Sequence, residues 1–366
     1  MQTGRGSLYL FKNSCCIAAL ALIALAGQAC SPLSQRSPEY ALVKPLAETV
    51  SVVSSDDAAD DPAIWINEML PDRSWIAGTD KKAGLYIYDL DGRMLDFAPL
   101  GRVNNVDLIG PWSTRGNNEV LAVLTERSQP RLLLVMIEAD SGHIQTDGLL
   151  SVPFSIGDPY GVCAGMDESE DNISAHAVVT SKEGQLQQYR LALNENEQTT
   201  TQLLRTLDVG STSEGCVIDV ASNSLYVAEE TVGIWNYPLD PTDNTRTLIA
   251  TVDGDHLVTD VEGLTIASDE KRGSWLIASS QGDSSFSVFA LPSHVYVGSF
   301  RIDAHLARGI DRVSGTDGIA AVATDLITDY PGGLFVAQDD VNAPGQTQNF
   351  KLVPLADIQA VISDPN

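Results

Sequence analysis

Carboxylates recur along this chain ahead of short apolar runs. Asp60 and Asp61 precede Pro62-Ala63-Ile64, Asp107 precedes Leu108-Ile109, and Glu214 precedes Gly215-Cys216-Val217. Asp260 and Glu262 precede Gly263-Leu264, and Asp317 precedes Gly318-Ile319-Ala320. Hard oxygen donors with no histidine or thiolate among them suit calcium better than zinc or copper. Carboxylates crowded within a few ångströms raise one another's pKa or recruit a cation. A second set is basic: Lys81, Lys82, Arg127 and Lys182 lie in three successive polar turns, in a chain with only 22 basic residues. Arginine meets phosphate through a planar fork and lysine as a point charge, so cations beside metal-binding acids suit a ligand bearing several phosphates. The chemistry open to such a set is attack on phosphate by a metal-activated water.

What must position these residues is a repeat. The polar turns follow Thr79, Thr125, Thr180, Ala228, Ser279 and Ala337, at steps of 46, 55, 48, 51 and 58 residues. Each copy carries several short β-type runs. In Leu85-Tyr86-Ile87-Tyr88-Asp89-Leu90 side chains alternate with the two-residue period of a strand. A recurrence near fifty residues without helical periodicity predicts propeller blades, hence an all-β, six-bladed β-propeller. A β-sandwich offers no reason for such regular hairpins. The last copy ends at Phe350-Lys351-Leu352-Val353-Pro354-Leu355, short of a fourth strand. An N-terminal segment, either Tyr40-Ala41-Leu42-Val43 or Glu48-Thr49-Val50-Ser51-Val52-Val53, is expected to complete that blade and close the ring. In a propeller the inner strand starts and the turns between second and third strands share one face. The acids above should therefore ring the channel mouth, with Lys81, Lys82, Arg127, Lys182, Glu183, Glu229, Glu230, Gln281 and Asp339 around them.

Residues 1–29 read as a targeting segment: Arg5 and Lys12 precede the apolar run Cys16 to Ala26, and small residues lead to Ala29. Cleavage after Ala29 and lipidation at Cys30 both remain open, and export is expected in either case. Residues 30–46 read as a flexible lead-in and 47–362 as a single propeller domain, with no further apolar run near the ~20 residues of a membrane span. Net charge is −27, and removal of the two basic residues of the targeting segment takes it to −29. That excess argues against nucleic acid and anionic membranes as partners. No protein partner is implied and a monomer is expected. Past the segment only Cys163 and Cys216 fall within the domain. Aligning Gly161 with Gly215 sets Cys163 one residue out of register from Cys216, on the other face of its strand, which predicts two buried thiols, although export leaves a disulfide open.

The familiar nucleophile motifs are missing: no Arg-His-Gly, no Gly-x-Ser-x-Gly and no Gly-Lys-Ser/Thr loop occurs. His143, His176, His256, His294 and His305 fall outside the repeated turns. A calcium-dependent propeller lactonase or phosphodiesterase, or a non-catalytic anion-binding propeller, is the alternative. Four cations at the mouth argue against the first, and paired acids against the second.

Residues Asp60-Asp61-Pro62-Ala63-Ile64-Trp65, Lys81-Lys82, Asn104-Asn105-Val106-Asp107, Tyr160-Gly161, Lys182-Glu183-Gly184, Glu214-Gly215, Glu229-Glu230, Asp260-Val261-Glu262-Gly263, Gln281-Gly282 and Asp317-Gly318 occur in an order that resembles the β-propeller, or alkaline, phytases. The resemblance runs from about Val53 to Ile358. It implies stepwise, calcium-dependent hydrolysis of phytate, inositol hexakisphosphate, as by a 3-phytase, with no covalent phospho-enzyme. It further implies that Lys81, Lys82, Arg127, Tyr160, Lys182 and Glu183 line two neighbouring phosphate sites. Asp60, Glu214, Glu230, Asp260, Glu262 and Gln281 would hold active-site calcium, and Asp61, Pro62, Val106, Asp317 and Gly318 a buried calcium ion. Asp80 and Glu126 depart from the family pattern, and as added carboxylates at the mouth they would weaken phosphate binding or raise the demand for calcium. Asp339-Asp340 departs from it in the last blade.

Overall fold

The protein was analysed as a computed structural model, which describes residues 40–113, 118–167, 173–269 and 273–362. The expected targeting segment, Cys30 and the first part of the lead-in lie outside the described residues. Six antiparallel sheets follow one another along the chain. Blade I is Ala59–Trp65, Trp75–Asp80, Gly84–Asp89 and Met94–Ala98; blade II is Val103–Ile109, Glu119–Glu126, Arg131–Glu138 and Ile144–Pro153. Blades III and IV repeat the four-strand meander from Pro159 to Asp208 and from Ser213 to Thr251. Blade V spans Val261–Ile302, and blade VI holds Ile319–Ala323, Gly333–Asp339 and Asn349–Pro354. The first strands of successive blades neighbour one another around the axis, and that of blade VI adjoins that of blade I. The fold is a six-bladed β-propeller.

Two N-terminal segments fasten the ring. Ala47–Glu48 pairs antiparallel with the last strand of blade VI and completes it, as expected for the second of the two candidate segments. Ala41–Val43 lies parallel to the outer strand of blade V as a fifth strand, so part of the stretch read as a lead-in is ordered. A short helix, Leu355–Val361, buries Leu355 and Ile358 between blades V and VI. Among the described residues no helix is long and apolar enough to cross a membrane.

Strands in the middle of a blade are buried on both faces, which explains near-continuous apolar runs such as Val120-Leu121-Ala122-Val123-Leu124. Val120, Ala122 and Leu124 pack toward blade I, while Leu121 and Val123 pack toward blade III. One apolar cluster fills each of the six gaps between blades.

The gap between blades III and IV corrects the cysteine expectation. Cys163 and Cys216 form a disulfide with Cα atoms 5.6 Å apart. Neighbouring inner strands face each other with opposite faces, so Val162 packs toward blade II while Cys163 faces blade IV. Being one residue out of phase is what lets Cys163 meet Cys216.

Candidate active site

Every inner strand from blade I to blade V breaks register once, between Ala59 and Pro62, Val103 and Val106, Pro159 and Val162, Ser213 and Cys216, and Val261 and Leu264. Such bulges leave residues unpaired and re-aim their side chains. The first bulged residue is in turn Asp60, Asn104, Tyr160, Glu214 and Glu262, and Asp317 stands at the matching place before blade VI. The second is Asp61, Asn105, Gly161, Gly215 or Gly263, with Gly318 in blade VI. In blades III and IV close approach requires glycine: a Cβ on Gly161 would lie 1.8 Å from the carbonyl oxygen of Glu214, and one on Gly215 1.6 Å from that of Glu262. Hydroxyls brace the turns, since the Thr180 hydroxyl accepts from Gly161 N at 2.9 Å and donates to the Glu214 carbonyl at 3.1 Å.

The six first-position side chains meet at the channel mouth. Asn104 Nδ2 donates to Asp60 Oδ2 and to Glu214 Oε1, both at 2.8 Å. Lys81 Nζ lies 2.8 Å from Asp60, 3.0 Å from Asp317 and 2.5 Å from Asp57. Gln281 Nε2 donates to Glu262 at 2.9 Å and to Asp317 at 2.6 Å. Arg127 Nη1 donates to Asn104 Oδ1 at 3.0 Å, and Lys182 Nζ lies 4.4 Å from the centre of the Tyr160 ring.

Burial and mutual repulsion dominate the electrostatics. Burial, then the charges of Asp60 and Asp317, raises the Glu214 carboxyl well above its ordinary range. Burial and the charges of Glu214 and Asp317 do the same to Glu262, and burial with Asp60 pushes Asp317 to about 7. Glu230 is raised by burial and by Asp260. Burial alone would lower the Lys81 pKa, but Asp60 and Asp317 outweigh it and hold the proton on. Tyr160 is raised by burial and by the charges of Glu214, Glu262 and Asp60, so its hydroxyl stays protonated beside Glu214. Glu214, Glu230 and Glu262 each offer an oxygen within 4.8 Å of the others. An all-oxygen set carrying more negative charge than its surroundings compensate fits a hard divalent cation.

The site thus unites Lys81, Arg127, Tyr160, Lys182, Asp60, Glu214, Glu230, Asp260, Glu262, Gln281 and Asp317. Asp61 points elsewhere: its carboxylate accepts from Val106 N at 3.0 Å and lies against Gly318, where a Cβ would come within 2.3 Å of Oδ1. Asp61, Pro62 and Val106 line a cavity of about 440 Å³ along the channel. The Asp317 side chain belongs to the mouth, and only its neighbour Gly318 adjoins Asp61. Lys82 is exposed, with Nζ donating to the Ser55 carbonyl at 2.5 Å. Glu183 is also turned aside, its Oε2 accepting from Asp158 N at 2.9 Å.

Other expectations are corrected. Asp107 lies one strand face away from the mouth and accepts from Ala164 N of blade III at 2.8 Å. Asp80, Glu126 and Glu229 end their strands facing inward, beneath the turns. Asp80 accepts from Lys82 N and Ser54 N, Glu126 from Ser128 N, Gln129 N and Arg131 Nε, and Glu229 from Ser211 Oγ and Trp235 Nε1. These carboxylates are buried and satisfy turn donors, so they do not point into the mouth. Asp339 is likewise buried, beside Lys351. The five histidines lie away from the mouth, His305 for instance against the Pro45 carbonyl.

Asn104 and Asp158 were missed as members of the site. Asn104 was detectable, since it holds the repeat position of Asp60 and Glu214. The acid ahead of the apolar run in that copy, Asp107, lies three residues further on and masks it. Asp158 holds the repeat place of Asp260, two residues before the first bulged residue, with its carbonyl accepting from the turn, and the match is hidden because blades I, II and IV carry Ala58, Arg102 and Thr212 there.

Fold and mouth together define a propeller in which a carboxylate cluster able to hold a metal ion adjoins lysine and arginine side chains. The chain belongs to the Phytase family, whose profile matches residues 13–366. It is 36% identical over 315 residues to a 3-phytase of Bacillus subtilis (strain 168), an alignment covering 84% of this chain and 81% of the relative. Among solved structures, the crystal structure of BBS1N in complex with ARL6DN, soaked with lead, matches 80% of this chain and 78% of that chain with a TM-score of 0.46 and 11% identity. That likeness is too remote to bear on the site.

Proposed function

We propose that this protein is a calcium-dependent 3-phytase, releasing phosphate stepwise from phytate at the channel mouth. One observation carries the reading: Lys81, Arg127 and Lys182 converge where Glu214, Glu230 and Glu262 bring three oxygens within 4.8 Å. Calcium bound by Glu214, Glu230, Glu262, Asp60 and Asp260 would neutralise the acids, screen the phosphate oxygens and acidify nearby water. A second calcium ion is assigned to Asp61, Pro62, Val106 and Gly318, where a buried carboxylate raised by burial faces the channel.

The protein's own groups do the rest. Arg127 and Lys182 bind phosphate oxygens and stabilise charge on them during in-line attack. Tyr160 carries both cations against its ring, donates to Glu214 and favours its ionised form. Lys81 is held inward by Asp57, Asp60 and Asp317, and a cation on these acids would leave its ammonium to phosphate. Lys82 and Glu183 stand at the rim, where a second phosphate of the same inositol ring would lie. Export of the chain is part of this proposal. The basic and apolar N-terminal sequence and the Cys163–Cys216 disulfide support it, since disulfides persist in oxidising compartments.

Phosphate release from phytate, followed by ion chromatography with and without a chelator, tests the reading. Activity should require calcium and vanish in Lys182→Ala and Glu214→Ala. Full activity in the chelated protein would overturn the mechanism, and binding of phytate without release would mark a binding module.

A further inference from the structure

We propose that Asp158 is a positioning residue that aims Arg127 at the substrate, and that Glu183 acts through Asp158; this rests on the phosphate-binding role given to Arg127 above. Arg127 stands in a turn of blade II and reaches across to the chain entering blade III. Its Nε and Nη2 meet the two oxygens of Asp158 at 3.2 and 2.6 Å, a side-on fork. Nη1 donates to Asn104 Oδ1 at 3.0 Å. Three of the five guanidinium N–H groups are thereby held, and the two that remain sit one on each Nη, available to a pair of phosphate oxygens.

Asp158 is itself fastened. Its N–H donates to Glu183 Oε2 at 2.9 Å and its carbonyl accepts from Lys182 N at 3.2 Å. The loop can lie this close to Glu183 because residue 157 is glycine, with φ of +96°, where a Cβ would sit 1.9 Å from Glu183 Oε2. A chain of contacts therefore runs from the rim at Glu183 through Asp158 to Arg127 and on to Asn104, which holds Asp60 and Glu214.

Such a clamp answers a problem of charge. In a mouth crowded with carboxylates, a free guanidinium is drawn toward Asp60 and Glu214, as Lys81 is drawn to Asp60 and Asp317. Asp158, set outside that crowd, holds Arg127 back and leaves its charge facing the substrate. A carboxylate that instead competed with phosphate for the guanidinium edge would have the opposite effect. The two predict opposite shifts in KM.

The experiment measures phytate kinetics with calcium in full-length Asp158→Ala, Asp158→Asn, Asp158→Glu, Arg127→Ala and the Asp158→Ala/Arg127→Ala double variant. Loss of one charge-assisted contact should raise KM roughly tenfold with a smaller change in kcat. Asp158→Asn should fall between, and Asp158→Glu should recover most of the loss. In the Arg127→Ala background Asp158→Ala should cost nothing further. An unchanged or lowered KM, or additive losses, would overturn the proposal. Binding of inositol hexakissulfate is measured by calorimetry in parallel and should weaken similarly. If the wild type released no phosphate, the proposed activity would fail, while this binding series would still decide the role of Asp158. Far-UV circular dichroism identifies any variant that loses affinity by misfolding, and Asp158→Asn, which preserves shape, then decides.

Discussion

Replacing Lys351 by methionine should loosen the closure of the ring. Lys351 is fully buried in the last strand of blade VI, where its ammonium lies 2.5 Å from Glu48, 2.7 Å from Asp311 and 3.1 Å from Asp339. It also donates to Asn342 at 2.8 Å and to Asn349 at 3.2 Å. Glu48 belongs to the N-terminal strand, so one charge ties both chain ends together. Removing one partner of a buried ion cluster costs about 3–5 kcal/mol because the other charges are stranded. Here Glu48 and Asp311 are 28% and 37% exposed and can turn to water, whereas Asp339 is fully enclosed, which places the loss near the lower bound. Over about 310 described residues an unfolding entropy of ~2.1 cal/mol/K per residue converts ~3 kcal/mol into a Tm lower by about 5 °C. The loss should depend on pH. Burial already pushes Asp339 to about 6 despite the neighbouring Lys351, and without the ammonium it moves higher. A carboxyl with a raised folded pKa binds more protons folded than unfolded, so stability falls as pH rises through that window. The deficit relative to wild type should thus be larger at pH 8 than at pH 5. Urea unfolding at both values, with proteolysis of the N-terminal strand as a second readout, provides the assay. A loss below ~1 kcal/mol, or one independent of pH, would show that Lys351 does not carry the closure.

Calcium affinity should rise with pH between about 6 and 8, because Asp317, pushed to about 7, and Glu214 and Glu262, both raised by burial and by neighbouring carboxylates, must lose protons before they can bind a cation. Calorimetric titration at several pH values checks this, and a flat affinity would contradict it. Breaking the disulfide with Cys216→Ala should cost about 4 kcal/mol on the chain-entropy estimate for a span of 53 residues. Denaturant curves of the variant and of reduced wild type should agree, and a loss under ~1 kcal/mol would mean that the apolar packing between blades III and IV suffices alone.

Much of the architecture was legible before any coordinates. Six polar turns at uneven but persistent spacing, each flanked by alternating runs such as Leu85 to Leu90, admit few folds besides a propeller. The short last copy called for an N-terminal partner, and Ala47–Glu48 supplies it. The site was legible only in outline. Residue types set acids beside lysine and arginine at the mouth, yet Asp60 and Asp107 look equivalent along the chain. A bulge aims the first into the mouth, while the second braces blade III.

Local sequence determined the blade count and the face on which the acidic and basic residues gather, because strand alternation and turn composition are short-range properties. Tertiary structure alone decided which acids share a mouth, that Cys163 meets Cys216, and that Asp80, Glu126 and Glu229 face inward. Each depends on how one blade faces the next, and a one-residue shift in that packing exchanges one side of a strand for the other.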